Sequence, residues 1–233
     1  MLLIMATKSN KNFSVSSEGV FYSVQGEGIN TGASSVFLRL YGCNLHCSWC
    51  DSKHTWQGGR SRNLPVITVA KMIKKFPAKH LVITGGEPLL QEEGIVLLLE
   101  HLPGWEIEIE TNGTIFPRSK NLLKRCLFNV SPKMKNSGAS FPGWKIYKPL
   151  RKFAQLNNST FKFVLETTRD FEEVEKIVSR YDIDQRAILI MPQCIKSSDY
   201  RKIALTLIEE IKKRGWRLSP RLHITLWGKR RRV

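Results

Sequence analysis

Three cysteines stand within eight residues: Cys43, Cys47 and Cys50, in Gly-Cys-Asn-Leu-His-Cys-Ser-Trp-Cys-Asp, a C-x3-C-x2-C spacing. Thiolates are soft ligands that select zinc or iron–sulfur clusters. A closed electron-transfer cluster takes four cysteines. Three on one short loop hold three irons of a [4Fe–4S] cube and leave the fourth open to a small molecule that brings its own donors. S-adenosylmethionine, with its amino and carboxylate groups, is the natural guest. Two plainer readings stand beside this one. A structural zinc site takes a fourth ligand, for which His46, His54, Cys126 and Cys194 are available, although neither histidine falls in a paired zinc spacing. A chance grouping of free thiols is the other.

Polar residues gather at three further places. Thr84-Gly85-Gly86-Glu87-Pro88 offers two glycines, which let backbone approach a ligand and accept φ > 0, and a carboxylate able to accept from an ammonium group. Glu110-Thr111-Asn112-Gly113 ends in an amide, and Phe128-Asn129-Val130-Ser131-Pro132-Lys133 in a hydroxyl and an amine. Taken singly, the first is a capped turn and the second an ordinary Asn-Gly turn.

What joins them is the run before each. Val36 to Leu40 precedes the cysteines, Leu81 to Thr84 the glycines, the alternating Trp105 to Glu110 the asparagine, and Leu127 to Ser131 the lysine. Their periodicity and composition predict strands. Thr160 to Leu165 and Ala187 to Met191 add two more. Helical patterns separate them: Val69, Met72, Ile73 and Phe76 behind Thr68 as N-cap; Ile95 to Leu102; Phe171, Val174, Ile177, Val178 and Tyr181; and Tyr200 to Ile211, closed by Gly215. Strands alternating with helices predict βαβ units and a parallel sheet. Six units are fewer than the eight that close a (β/α) barrel. The expected fold is therefore α/β, a partial (β/α) barrel of about six strands, open on one side. Chemistry in such folds sits at the C-terminal ends of the strands. Four consecutive strands then deliver polar groups to one rim, as a cofactor site requires.

The 233 residues, 42% hydrophobic and 24% charged, predict a loose leader at 1–12 and one soluble domain at 13–233. No apolar run reaches the ~18–20 residues of a bilayer span. Met1 to Met5 lacks the features of a signal peptide. Five cysteines, three of them crowded, predict a reducing cytoplasm rather than a disulfide framework. The net charge of +17 raises a nucleic-acid partner. Apart from Lys229-Arg230-Arg231-Arg232 the basic residues are scattered, which fits a solvated surface, or a field that draws an anionic substrate. Arg39 is a lone cation on an apolar strand and needs an anion. A substrate carboxylate, Glu27 and Glu110 are the candidates.

The cysteine spacing together with Gly85-Gly86-Glu87-Pro88 resembles the radical S-adenosylmethionine superfamily. Phe21-Tyr22-Ser23-Val24-Gln25-Gly26-Glu27-Gly28 and Phe37 to Asp51 are similar to the 7-carboxy-7-deazaguanine synthase family of queuosine biosynthesis. So are Val130-Ser131-Pro132-Lys133, Phe161-Lys162-Phe163-Val164, Met191-Pro192-Gln193, Arg221-Leu222-His223 and Leu226-Trp227-Gly228. The resemblance implies cleavage of S-adenosylmethionine by a reduced cluster and hydrogen abstraction from C6 of 6-carboxy-5,6,7,8-tetrahydropterin. Ring contraction and loss of ammonia then give 7-carboxy-7-deazaguanine, and S-adenosylmethionine is regenerated. It implies a [4Fe–4S] cluster on Cys43, Cys47 and Cys50, and S-adenosylmethionine at Gly85, Gly86, Glu87, Glu110, Asn112, Ser131 and Lys133. It implies a pterin at Gln25, Glu27, Gly28, Arg39, Thr84, Gln193, His223 and Val233. It also implies Mg²⁺, a flavodoxin or ferredoxin reductant and a homodimer. Two positions depart from the family pattern. Ser52 stands where a threonine helps hold Mg²⁺, and Cys194 where glycine is usual; Cys194 is predicted not to be a cluster ligand, since a fourth thiolate would block the cofactor. A glycyl-radical activase would share the cysteine loop and Gly-Gly-Glu-Pro, but would not need the Gln25 to Gly28 run. A basic zinc module binding nucleic acid is the alternative from another class.

Overall fold

The computed structural model describes residues 12–138, 144–194, 196–228 and 230–233. Residues 1–11 of the leader expected at 1–12, and Lys229 of the basic run, lie outside the described residues; Asn12 belongs to the first strand instead. One nine-stranded sheet runs in the order β3-β1-β2-β4-β5-β6-β7-β8-β9, with β3 and β9 at its open ends. Its strands are β1 (Asn12–Val24), β2 (Ser34–Leu40), β3 (Ser61–Pro65), β4 (His80–Gly85), β5 (Glu106–Thr111), β6 (Cys126–Val130), β7 (Ser159–Leu165), β8 (Ile188–Pro192) and β9 (Arg217–Leu218). From β2 through β4–β9 every pairing is parallel. The six expected strands are β2 and β4–β8, an open α/β sheet of the anticipated kind.

The sheet extends past that core on the β2 side. β1 lies antiparallel to β2, and β3 antiparallel to β1. The register of β1 shifts between Val15 and Val20, so Ser16 to Gly19 form a bulge.

Helices cover one face: α1 (Val66–Ile73), α2 (Glu92–His101), α3 (Lys120–Arg125), α4 (Leu150–Ala154), α5 (Asp170–Tyr181) and α6 (Ser197–Arg214), with α7 (Leu222–Trp227) after β9. The first helix begins earlier than its pattern suggested. Pro65, not Thr68, is its N-cap, and it stops at Ile73 rather than Phe76, because Pro77 disfavours helical backbone at the residue before it. Gly215 closes α6 with φ +67°, as expected.

Successive strand residues point to opposite faces. Leu38, Ile83, Ile107, Ile109, Phe128, Val130, Phe161, Phe163 and Ile190 belong to one buried apolar cluster. The residues between them do not: Arg39, Thr84, Glu108, Glu110, Asn129 and Lys162 form the other face. That polar face is the inside of the half-barrel, and it makes the site.

Candidate active site

The cysteine loop leaves β2 and is tied down on three sides. Glu87 N donates to Gly42 O at 2.8 Å, and Asn112 Nδ2 to Asn44 Oδ1 at 2.8 Å. Ser48 N donates to Ser137 O at 2.9 Å, and Trp49 Nε1 to Asn136 O at 2.7 Å. The turns after β4, β5 and β6 thus hold it in place. Two glycines allow the first of these contacts. A Cβ on Gly85 would lie 2.1 Å from Leu40 O, and one on Gly86 2.0 Å from Gly42 O; both obstacles are backbone and cannot yield.

Cys43, Cys47 and Cys50 are free thiols and all line one cavity of about 420 Å³. Leu45 N donates to Cys43 Sγ and Trp56 Nε1 to Cys50 Sγ, each at 3.4 Å. Burial pushes Cys43 up to about 11 and raises Cys47 as well. Loading a metal would therefore release protons. Among the described residues no three His, Cys, Asp or Glu side chains converge on one metal-ion position. A cube asks for something else, one thiolate per iron corner around a cavity wall, and this donor set suits that demand. The residues that might have completed a zinc site are engaged elsewhere. The His46 ring packs on Trp56 at 4.7 Å, and His54 Nε2 lies 3.0 Å from Glu18. Cys126 is buried at the start of β6, and Cys194 is buried outside the cavity wall.

The same cavity is lined by Gly85, Gly86, Asn112, Ser131 and Lys133, and by Gln25, Glu27, Arg39, Ser52, Thr84, Glu110, His223 and Val233. Lys133 Nζ donates to Ser131 Oγ at 2.8 Å and lies over the Trp49 ring at 5.8 Å. Three expected residues are not on the wall. Glu87 is wholly buried, and its carboxylate is consumed as a brace: it accepts from Leu89 N at 3.0 Å, Thr111 Oγ1 at 2.8 Å and Asn112 N at 2.7 Å. It fixes the rim rather than offering an oxygen to a ligand. Gly28 packs its backbone under the floor, its N–H donating to Ser219 Oγ at 3.0 Å. Gln193 continues the β8–β7 ladder through its N–H to Leu165 O, leaving Met191 to face the cavity.

Comparison with known proteins agrees with this geometry. The sequence profile described as the radical SAM superfamily matches residues 38–223. The chain belongs to the radical SAM superfamily. It is 36% identical to the 7-carboxy-7-deazaguanine synthase of Pyrobaculum aerophilum, over 91% of this chain and 94% of that one. It is 36% identical to that of Hyperthermus butylicus, over 88% and 89%. The crystal structure of QueE from Escherichia coli superposes with a TM-score of 0.68 at 28% identity, covering 89% of this chain and 93% of that one. The chain is an enzyme of this radical SAM group.

Three residues of this radical SAM site escaped sequence reasoning. Lys162 is 3% exposed; its Nζ donates to Glu27 Oε2 at 2.6 Å and Glu110 Oε2 at 2.8 Å. Burial alone would lower it, yet the two carboxylates carry it above the ordinary lysine range. Glu27 is raised by burial, but Lys162, Arg221 and His223 together hold it well below the usual carboxylate value. Glu110 shares Lys162 with Glu27 and sits beside Glu108; burial and those two like charges push it up to about 7. Arg221 is the second residue. Its Nε donates to Glu27 Oε1 at 3.2 Å, Nη1 to Cys194 O and Nη2 to Asp51 Oδ2. The third is Glu18, in the β1 bulge. It takes Arg39 Nε at 2.5 Å, so the ion-pair partner of Arg39 is neither Glu27 nor Glu110. The arginine's Nη1 donates to Ser52 Oγ at 3.0 Å.

The Glu110 shift has a measurable sign. Between 4.5 and about 7 the folded chain keeps a proton that the unfolded chain has released. A state that holds the extra proton loses ground as the proton is removed, so this contribution to stability falls as pH rises through that window. The melting temperature of the wild type relative to Glu110→Gln should therefore fall between about pH 5 and pH 8. A difference independent of pH, read by scanning calorimetry, would show that Glu110 titrates normally.

Proposed function

We propose that the chain converts 6-carboxy-5,6,7,8-tetrahydropterin into 7-carboxy-7-deazaguanine with loss of ammonia, with the residues named here in its site. The observation that carries this reading is one cavity with three free thiols on one wall and a guanidinium, two carboxylates and a buried ammonium on the others. A [4Fe–4S] cluster on Cys43, Cys47 and Cys50 with S-adenosylmethionine supplies hydrogen-abstracting chemistry when bound. The chain's own residues do the rest. Gly85 and Gly86 admit the cofactor's backbone-facing side, while Asn112, Ser131 and Lys133 offer an amide, a hydroxyl and an amine on the rim. Arg39 presents a fixed guanidinium to the substrate's carboxylate, a fork that matches planar carboxylates. Phe21 and Phe37, stacked at 5.1 Å with Val82 behind them, give the pterin an apolar surface. Gln25, Glu27 and His223 face its ring donors and acceptors. Glu110, near neutral in its titration, holds or releases a proton where ammonia departs.

Ser52 Oγ, which donates to Asp51 Oδ1 at 3.0 Å, would offer Mg²⁺ one oxygen, a ligand type that ion takes. Residues 13–233 are read as one domain on the strength of the single sheet. The reductant is read as a flavodoxin or ferredoxin and the assembly as a homodimer, whose second copy would cover an open sheet edge. Five free cysteines favour a reducing cytoplasm. No helix among the described residues is long and apolar enough to cross a membrane.

The deciding experiment is an anaerobic assay with the carboxytetrahydropterin, S-adenosylmethionine and a reductant, the product identified by mass. Absence of the deazaguanine with a loaded cluster would reject the reading. Arg39→Ala should raise KM about 10- to 100-fold, as loss of a charge-assisted contact does, with iron content unchanged. Wild-type kinetics would remove Arg39 from the substrate site.

A further inference from the structure

Glu18 is a carboxylate in a strand bulge, its side chain 8% exposed, with three basic side chains around it. Arg39 Nε lies at 2.5 Å, His54 Nε2 at 3.0 Å and Arg231 Nε at 3.6 Å. They come from β2, from the turn behind the cysteine loop, and from the basic tail. The tail does not trail away. Gly228, Arg230, Arg231, Arg232 and Val233 line the cavity, and the main-chain oxygen of Val233 accepts from Ser23 Oγ. It crosses the mouth pinned at two places, one of them Glu18.

An exposed ion pair is worth little, and Arg231 taken alone is a surface arginine. Glu18 changes that weighing. A buried carboxylate needs partners, and this one holds two guanidiniums at once. The ion pair with Glu18 and the hydrogen bond from Nη1 to Ser52 Oγ hold Arg39 from two sides. Arg39 and Arg231 bring two permanent positive charges against one negative. Arg230 and Arg232 line the same cavity, so the mouth is positive beyond what Glu18 offsets, a field that draws a ligand carboxylate.

We propose that Glu18 is the positioning residue for the carboxylate end of the substrate, clasping Arg231 of the tail so that this guanidinium joins Arg39 in recognising that carboxylate. The carboxylate's identity rests on the synthase reading; the clasp does not. Arg231 thereby selects pterins that bear a carboxylate and closes the tail over them.

The test uses the full chain with its cluster reconstituted. Limited trypsin digestion with intact-mass readout reports cutting after Arg230, Arg231 and Arg232. Glu18→Gln should be cut up to about fivefold faster than wild type, the upper end for an ion pair with one exposed partner, and carboxytetrahydropterin should slow cutting of the wild type. Glu18→Gln and Arg231→Gln should each raise KM for that substrate about tenfold, with kcat falling less; Glu18→Asp and Arg231→Lys should recover part of the loss. Inhibition by a tetrahydropterin lacking the carboxylate should be unchanged. Equal tail cutting in Glu18→Gln, unchanged KM in Arg231→Gln, or equal losses for both pterins would each overturn the proposal. Should Glu18→Gln fail to fold, Arg231→Gln, altered at a side chain 60% exposed, carries the kinetic arms. A chain that turns over no carboxylated pterin fails the synthase reading instead, and the digestion still reports on the clasp.

Discussion

Cys43→Ala should abolish turnover and leave the fold standing. The thiol lines the cavity rather than packing in the main apolar cluster, so its loss opens little core. The loop keeps its ties to the turns after β4, β5 and β6, none of which uses the Cys43 side chain. What disappears is one corner of a three-thiolate set. Two thiolates cannot hold a cube and still leave a single corner for a guest, and without the cluster the abstracting chemistry has no source. The expected result is at least a ~1,000-fold loss of product, the scale on which removing the chemistry differs from weakening a contact. Iron and sulfide should fall from about 4:4 per chain in oxygen-free material, and the melting temperature of the apo form should be unchanged. Retained turnover in purified variant would refute the ligand assignment, and a single zinc without colour in the wild type would replace the cluster altogether.

Lys162→Met should be the most destabilising single change in the cavity floor. The side chain is buried, and both of its partners are carboxylates. Methionine fills a similar volume but leaves Glu27 and Glu110 facing each other without a cation between them. Removing one member of a buried pair costs about 3–5 kcal/mol, because the other charge is stranded. Arg221 still compensates Glu27, so Glu110 bears most of the loss and takes up a proton. The double variant Lys162→Met/Glu110→Gln should then recover roughly half of the stability, since residues in contact are not additive. Urea unfolding of both variants measures this. A loss below about 1 kcal/mol for the single variant would mean that water reaches the pair and screens it.

The parts of the fold that were legible carry a repeating pattern. β5 alternates Ile and Glu, and β4 is an apolar run that ends in Thr84-Gly85, so period and chemistry agree. β1 was not legible as a strand, because its bulge breaks the alternation and its second half reads equally well as a motif. The site was legible where a residue type is rare in its setting. Arg39 stands out as a cation on an apolar strand. Lys162 in Ser-Thr-Phe-Lys-Phe-Val-Leu carries the same signal, a lone cation in an apolar strand. Glu18 carried none, since a glutamate in a polar stretch looks solvated until a bulge turns it inward. Gly28, Glu87 and Gln193 failed the other way: adjacency in sequence to lining residues does not fix which way a backbone turns or where a carboxylate spends its lone pairs.

The pleat of β5 has a consequence for how this chain can change. Glu108 and Glu110 sit one repeat apart, with Ile107 and Ile109 on the reverse side. A slip of one residue would exchange the two sets, sinking carboxylates in oil and greasing the chamber where the chemistry occurs. A one-residue insertion or deletion within these six residues therefore inverts the two faces, whereas substitutions that respect parity do not. Change at this strand is carried more cheaply by exchanging side chains than by altering its length.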